Sequence, residues 1–193
     1  ELMDHCNFEK IILVGFSLGG MIIRRFAQDF PELVEGLIII NSPHTRSKEQ
    51  QELIEARVFL SQQSGPTATA SAAIKRWFSE KFEEENPMII NKVKEWIIGN
   101  DPSIYPKIYR ILAYDLEEII NPQPPISCPT LVITADQDYG NGPEMSKKIA
   151  KEIDQSQLHI IKNLKHMALV EDPNQFGSIL RKFLRQFTKI GSI

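Results

Sequence analysis

The chain has 193 residues, 42% of them hydrophobic and 24% charged, with a formal net charge of −3. That is enough for one sizeable core with room for an insertion, in an ordinary soluble composition. The mild negative charge and lack of a basic run argue against nucleic acid or an anionic membrane as partner. No stretch approaches the length of a membrane span, and the polar, acidic start is unlike a signal peptide. The two cysteines, Cys6 and Cys128, lie far apart and form no metal-like pair. They read as reduced thiols of a cytoplasmic protein.

In chain order, "ELMDHCNF" reads as the tail of a helix. "KIILVG" (10–15) is a short apolar run ending in glycine, the pattern of a strand buried on both faces. "GGMIIRRFAQDFP" (19–31) has apolar residues at helical spacing and stops at Pro31, and "GLIIIN" (36–41) is a second buried strand. Strand, helix and strand in so short a span make a βαβ unit, hence parallel pairing. From residue 42 to 121 helical patterns take over, in "SKEQQELIEARVFLSQ", "TASAAIKRWFSEKF", "PMIINKVKEWIIG" and "PSIYPKIYRILAYDL". This segment is expected to form an all-helical cap, with 1–41 and 122–193 as the core. "NPQPPISCP" (121–129) is a stiff connector. A strand at 130–135, a helix at 143–153, a strand at 157–162 and a helix at 172–187 restore the alternation. The predicted class is a parallel α/β fold with a helical insertion.

"GFSLGG" (15–20) places Ser17 at the abrupt end of the first strand. Gly-x-Ser-x-Gly between strand and helix suits a nucleophile whose backbone is strained so that its hydroxyl stands clear of the sheet. Flanking glycines are expected to relieve crowding there. The following helix directs its N-terminus at the position where negative charge develops during acyl transfer. A serine hydroxyl needs a base, and the base an orienting acid. His5 lies in a helix tail and His159 inside a strand pattern. His44 follows a strand end, but its neighbours add no support. His166 follows the last strand by a short loop, on the same sheet edge as Ser17. "TLVITADQDYG" offers Asp136 and Asp138; Asp138 is favoured because it has entered the loop and can turn inward. The order Ser17, Asp138, His166 is that of an α/β-hydrolase.

"LVGFSLGGMIIRRFAQDFPELVEGLIIINS", "CPTLVITADQDYGNGPEMSKKIAKEI" and "LKHMALVEDPNQFGSIL" resemble the elbow, acid and histidine segments of the α/β-hydrolase superfamily. Within it, "AIKRWFSEKF" and "DPSIYPKIYRILAYDL" are similar to 3-oxoadipate enol-lactonases. The resemblance implies substrate contacts from Arg76 and Trp77 and an oxyanion donor in the N–H of Leu18; Phe16, beside the serine, is also expected to contact the substrate. It implies no metal or organic cofactor. Lys165 and Ala135 stand where the family usually has glycine. The resemblance also implies preceding strands and a loop with a second oxyanion donor, which this sequence does not contain. Loss of one such donor costs on the order of 10²–10³ in rate. The chain is therefore expected to be the carboxyl-terminal portion of a larger protein, or a truncated product. It would catalyse poorly, and its open sheet edge would invite self-association.

The leading expectation is a serine hydrolase of a small ester or lactone. The alternative is a ligand-sensing or signalling protein that keeps the scaffold with slow turnover or none. Dehalogenases and epoxide hydrolases of this fold place aspartate at the elbow, so Ser17 argues against both; C–C bond hydrolysis by the same triad stays open.

Overall fold

Four parallel strands form the centre of the structure, a computed structural model that describes residues 2–188. They are β1 (Ile11–Phe16), β2 (Val34–Ile40), β3 (Thr130–Ala135) and β4 (Ser156–Ile161), side by side in that order. Phe16 lies beside Ile40, Ile40 beside Ile133, and Ala135 beside Ile161. The carboxyl ends therefore line up, and the loops that follow them share one edge of the sheet.

The central strands β2 and β3 are continuous apolar runs because both of their faces are covered. Leu37, Ile39 and Val132 pack on one face against Ile23 and Ala27 of α2 (Leu18–Asp29) and Ile149 of α7 (Pro143–Lys151). Ile38, Ile40, Leu131 and Ile133 face the other way, onto Phe176 and Phe183 of α9 (Pro173–Leu184). The period-two alternation thus divides one apolar sequence between two helical layers. β1 departs from its expected burial on both faces. Among the described residues it has β2 as its one neighbour, and Val14 is 56% exposed.

The helical stretch predicted after β2 is present as α3 (Lys48–Trp77), α4 (Glu80–Glu85), α5 (Pro87–Ile98) and α6 (Tyr105–Tyr114). α3 opens with a capping box: Ser47 Oγ accepts from the Gln50 N–H at 3.2 Å, and the Gln50 side chain accepts from the Ser47 N–H at 3.0 Å. Two of the predicted helical patterns run together in α3 across a kink at Gly65, whose φ of 68° only glycine adopts readily, followed by Pro66. The predicted continuation through Phe82 fails, because Phe78 is extended and Ser79 caps a new helix, accepting from the Phe82 N–H. Ala73, Ile74, Phe78, Ile90 and Val93 make a core within this segment. A short α8 (Ala168–Glu171) precedes α9 and was not apparent in the sequence. The helix tail at the start is α1 (Leu2–Cys6). Among the described residues, no helix is long and apolar enough to cross a membrane.

Candidate active site

Ser17 occupies the one-residue turn between β1 and α2 with φ 53° and ψ −113°. A positive φ in a non-glycine residue costs on the order of 1–3 kcal/mol and survives only where its surroundings enforce it. Here the Ser17 N–H donates to the Ile40 carbonyl at 2.8 Å, carrying the β1–β2 ladder one residue further. A Cβ on Gly15 would fall 2.3 Å from the Gly19 carbonyl oxygen, and one on Gly20 would fall 2.5 Å from Ser42 Cβ and Oγ. Helix and strand can approach this closely only without those side chains. A Cβ on Gly19 would meet nothing within 4 Å. The crowding relief expected from the motif's flanking glycines therefore resides in Gly15 and Gly20, not in Gly19. Leu18 is the first residue of α2, so its N–H is one of the helix's orphan donors at the positive end of the dipole.

Asp138 lies just beyond β3 and is 4% exposed. Its Oδ1 accepts from the N–H of Gly140 at 3.1 Å and of Asn141 at 3.0 Å. Its Oδ2 accepts from Asn41 Nδ2 at 2.8 Å and lies 2.7 Å from His166 Nδ1. Burial alone would raise the carboxyl pKa. His166, then Asn41 and the Asn141 N–H, outweigh it and hold the group below the usual carboxylate range. An ionised carboxylate only accepts, so the proton of this contact sits on Nδ1, leaving Nε2 as the basic nitrogen. Asp136 makes no such contact: its Oδ1 accepts from the Asn163 N–H at 2.7 Å, at the surface.

His166 is held from both sides. The Met167 N–H donates to the Trp77 carbonyl at 2.9 Å, and Lys165 Nζ donates to the Lys75 carbonyl at 3.0 Å. Lys165, which replaces the family's usual glycine, thus ties the histidine loop to the last turn of α3, whose carbonyls favour a cation. The same ties bring the Trp77 ring to 6.1 Å from the imidazole. The Phe16 ring packs against the imidazole with its centroid at 4.8 Å.

A cavity of about 220 Å³ is lined by Ser17, Asp138, His166, Arg76 and Trp77, all five anticipated from sequence. Ser17 and His166 share it without a hydrogen bond between them; contacts of this kind often tighten only around substrate. Phe16 and Leu18 are not among the lining residues; Phe16 supports the imidazole instead. His44 is not among the residues that line this cavity. It is buried, with Nε2 2.9 Å from Glu152 Oε1.

Sequence reasoning missed Asn41. It ends β2 with φ 46°, a conformation that asparagine tolerates better than most residues, and this aims its amide at Asp138. Asn141 Nδ2 donates to the Asn41 carbonyl at 2.8 Å, joining the two strand-end loops. Arg46, Arg57 and Tyr109 also line the cavity and carried no motif signal.

This geometry can be set beside known proteins. 3-Oxoadipate enol-lactonase 2 of Acinetobacter baylyi is 28% identical over 187 residues, 96% of this chain and 68% of that protein. The (E)-2-((N-methylformamido)methylene)succinate hydrolase of the same organism is 23% identical over 184 residues, 95% of this chain and 68% of that protein. A thermophilic esterase from Thermogutta terrifontis, solved with malate bound, superposes with a TM-score of 0.84 at 27% identity, covering 97% of this chain and 70% of that one. The fold is that of the α/β-hydrolases, and the chain spans about two thirds of the length of these relatives. The Ndr family model matches residues 1–189, and the chain belongs to the Ndr family.

Proposed function

We propose that the site hydrolyses a small ester or lactone through an acyl-enzyme on Ser17. The observation that carries this reading is the 2.7 Å contact between His166 Nδ1 and Asp138 Oδ2, in a cavity shared with a strained serine. His166 Nε2 takes the Ser17 hydroxyl proton as Oγ attacks the substrate carbonyl. The oxyanion that forms faces the Leu18 N–H and the positive end of α2. Collapse expels the leaving alkoxide, which receives the proton from Nε2. Water then attacks the acyl group with Nε2 again as base, releasing the acid and restoring Ser17. Asp138 holds the imidazole in the required tautomer throughout. Every proton stays on protein, substrate or water, so these steps require no metal or organic cofactor.

Residues 42–121 act in this reading as a cap that shields the reaction from water. Arg76 and Trp77 would contact a carboxylate-bearing substrate, a chemistry for which both Acinetobacter relatives are named. The test is hydrolysis of p-nitrophenyl acetate and of short lactones. Ser17→Ala should lower turnover at least about 10³-fold, and His166→Ala comparably. Full activity in Ser17→Ala contradicts the reading. A folded wild-type chain that binds such compounds without turnover favours the ligand-sensing alternative.

A further inference from the structure

Three arginines enter the cavity of Ser17 from separate places: Arg46 from the loop after β2, Arg57 from the first half of α3, and Arg76 from its last turn. Asp138 is the one carboxylate among the described lining residues, and its oxygens are taken by His166, Asn41, Gly140 and Asn141. Among the described residues no aspartate or glutamate lies within 4.0 Å of the Arg46 or Arg57 guanidinium. Arg46 Nη1 is buried with no hydrogen-bond partner among them. Among the described residues, Arg76 Nη1 is engaged only by the Ala72 carbonyl of its own helix.

The three charges act on one another. Burial, and then the Arg57 charge, push the Arg46 guanidinium down to about 10. Burial, and then the Arg76 charge, push Arg57 down, with Tyr109 acting the other way. Half-buried like charges without a counter-ion destabilise the empty protein. Fold stability therefore does not explain this placement. A ligand does: with Asp138 counted, the lining retains two uncompensated positive charges, which a dianion neutralises. A guanidinium fork also matches carboxylate geometry, and a pair of them can grip one carboxylate from two sides.

We propose that Arg46 and Arg57 form a second anion subsite beyond Arg76 and Trp77, and that the substrate is a small ester or lactone carrying two carboxylates. This rests on Ser17 being the nucleophile. It assigns one carboxylate to Arg76, the other to Arg46 and Arg57, and the scissile carbonyl to Ser17.

Calorimetric titration of the full chain with butanoate, glutarate, tricarballylate and inorganic phosphate tests the subsite without turnover. Tricarballylate is the acid released from a monoester that keeps two carboxylates. Tricarballylate and glutarate, which can each place carboxylates at two subsites, should both bind at least about tenfold tighter than butanoate, as expected for one added charge-assisted contact. Arg46→Gln and Arg57→Gln should each erase that advantage, and Arg57→Lys should keep part of it. Circular dichroism checks that each variant is folded, and the three variants leave a comparison if one is not. Butanoate binding as tightly as tricarballylate overturns the proposal. So does an advantage that survives both glutamine variants, or phosphate binding as tightly as tricarballylate. Kinetics with methyl butanoate and the monomethyl ester of tricarballylate separate this from the nucleophile assignment. Arginine-dependent binding without hydrolysis of either ester keeps the subsite and rejects the role of Ser17. Equal hydrolysis of both esters, with no binding advantage, keeps Ser17 and rejects the subsite.

Discussion

Asn41 Nδ2 and His166 Nδ1 meet the same oxygen of Asp138, at 2.8 and 2.7 Å. With two backbone N–H groups on the other oxygen, the buried carboxylate is fully engaged and fixed in direction. Removing the amide donor leaves a buried charge short of one partner, a loss of about 1–3 kcal/mol. Asn41→Ala should therefore unfold at lower denaturant concentration and show a reduced kcat with KM little changed. A variant with wild-type stability and kcat would show that Asn41 does not position the acid.

Gly19 and Gly20 are adjacent glycines with opposite surroundings. A Cβ on Gly20 collides with Ser42 at 2.5 Å, while one on Gly19 meets open space. Gly20→Ala should destabilise the chain by about 1–3 kcal/mol, the usual range for overpacking. Gly19→Ala should be neutral or stabilising by up to about 1 kcal/mol, since alanine favours the helix. Thermal melts of the two variants decide the matter, and equal losses would contradict the packing described for the elbow.

His44 introduces a pH dependence away from the cavity. Burial lowers its pKa below the ordinary 6.5, and Arg24 and Lys148 add to this, against the attraction of Glu152. The unfolded chain then binds more protons than the folded one as pH drops past about 6.5. The stability linked to His44 is present above that pH and is lost as pH falls through the lower folded value. Denaturation curves taken from roughly pH 7 down to pH 5 should show a shallower decline in His44→Gln than in wild type. Parallel declines would rule out this linkage.

Val14 is 56% exposed on β1, whose outer side has no strand partner among the described residues. An open apolar edge of this kind favours intermolecular pairing. Sedimentation of the purified chain should show concentration-dependent association, reduced by Val14→Lys. Monomeric behaviour at all concentrations would contradict it.

Periodicity and chain order were enough to locate the strands, the parallel pairing and the residues at the strand ends. Ser17, Asp138 and His166 were legible because each belongs to a local pattern: a glycine-flanked elbow, an aspartate three residues beyond its strand, a histidine in a short loop. Asn41 was not, because its role depends on a left-handed backbone at a strand end and on a partner 97 residues away. Arg46 and Arg57 were hidden for a related reason. On a helix or in a loop a lone arginine reads as surface, and only the fold of α3 over the sheet edge turns these two into the cavity. The burial expected for β1 fails at Val14 because an apolar run shows what a strand can bury, not what covers its faces; the open edge of β1 was itself expected from the sequence.

The central claim is that Ser17 is an activated nucleophile. The most direct test is to treat the purified chain with a fluorophosphonate and locate the adduct by intact mass and peptide mapping. The account predicts one adduct, on Ser17, that is absent in Ser17→Ala and strongly slowed in His166→Ala and Asp138→Asn. A folded chain that takes no adduct on Ser17, or one labelled equally fast without His166, would contradict it.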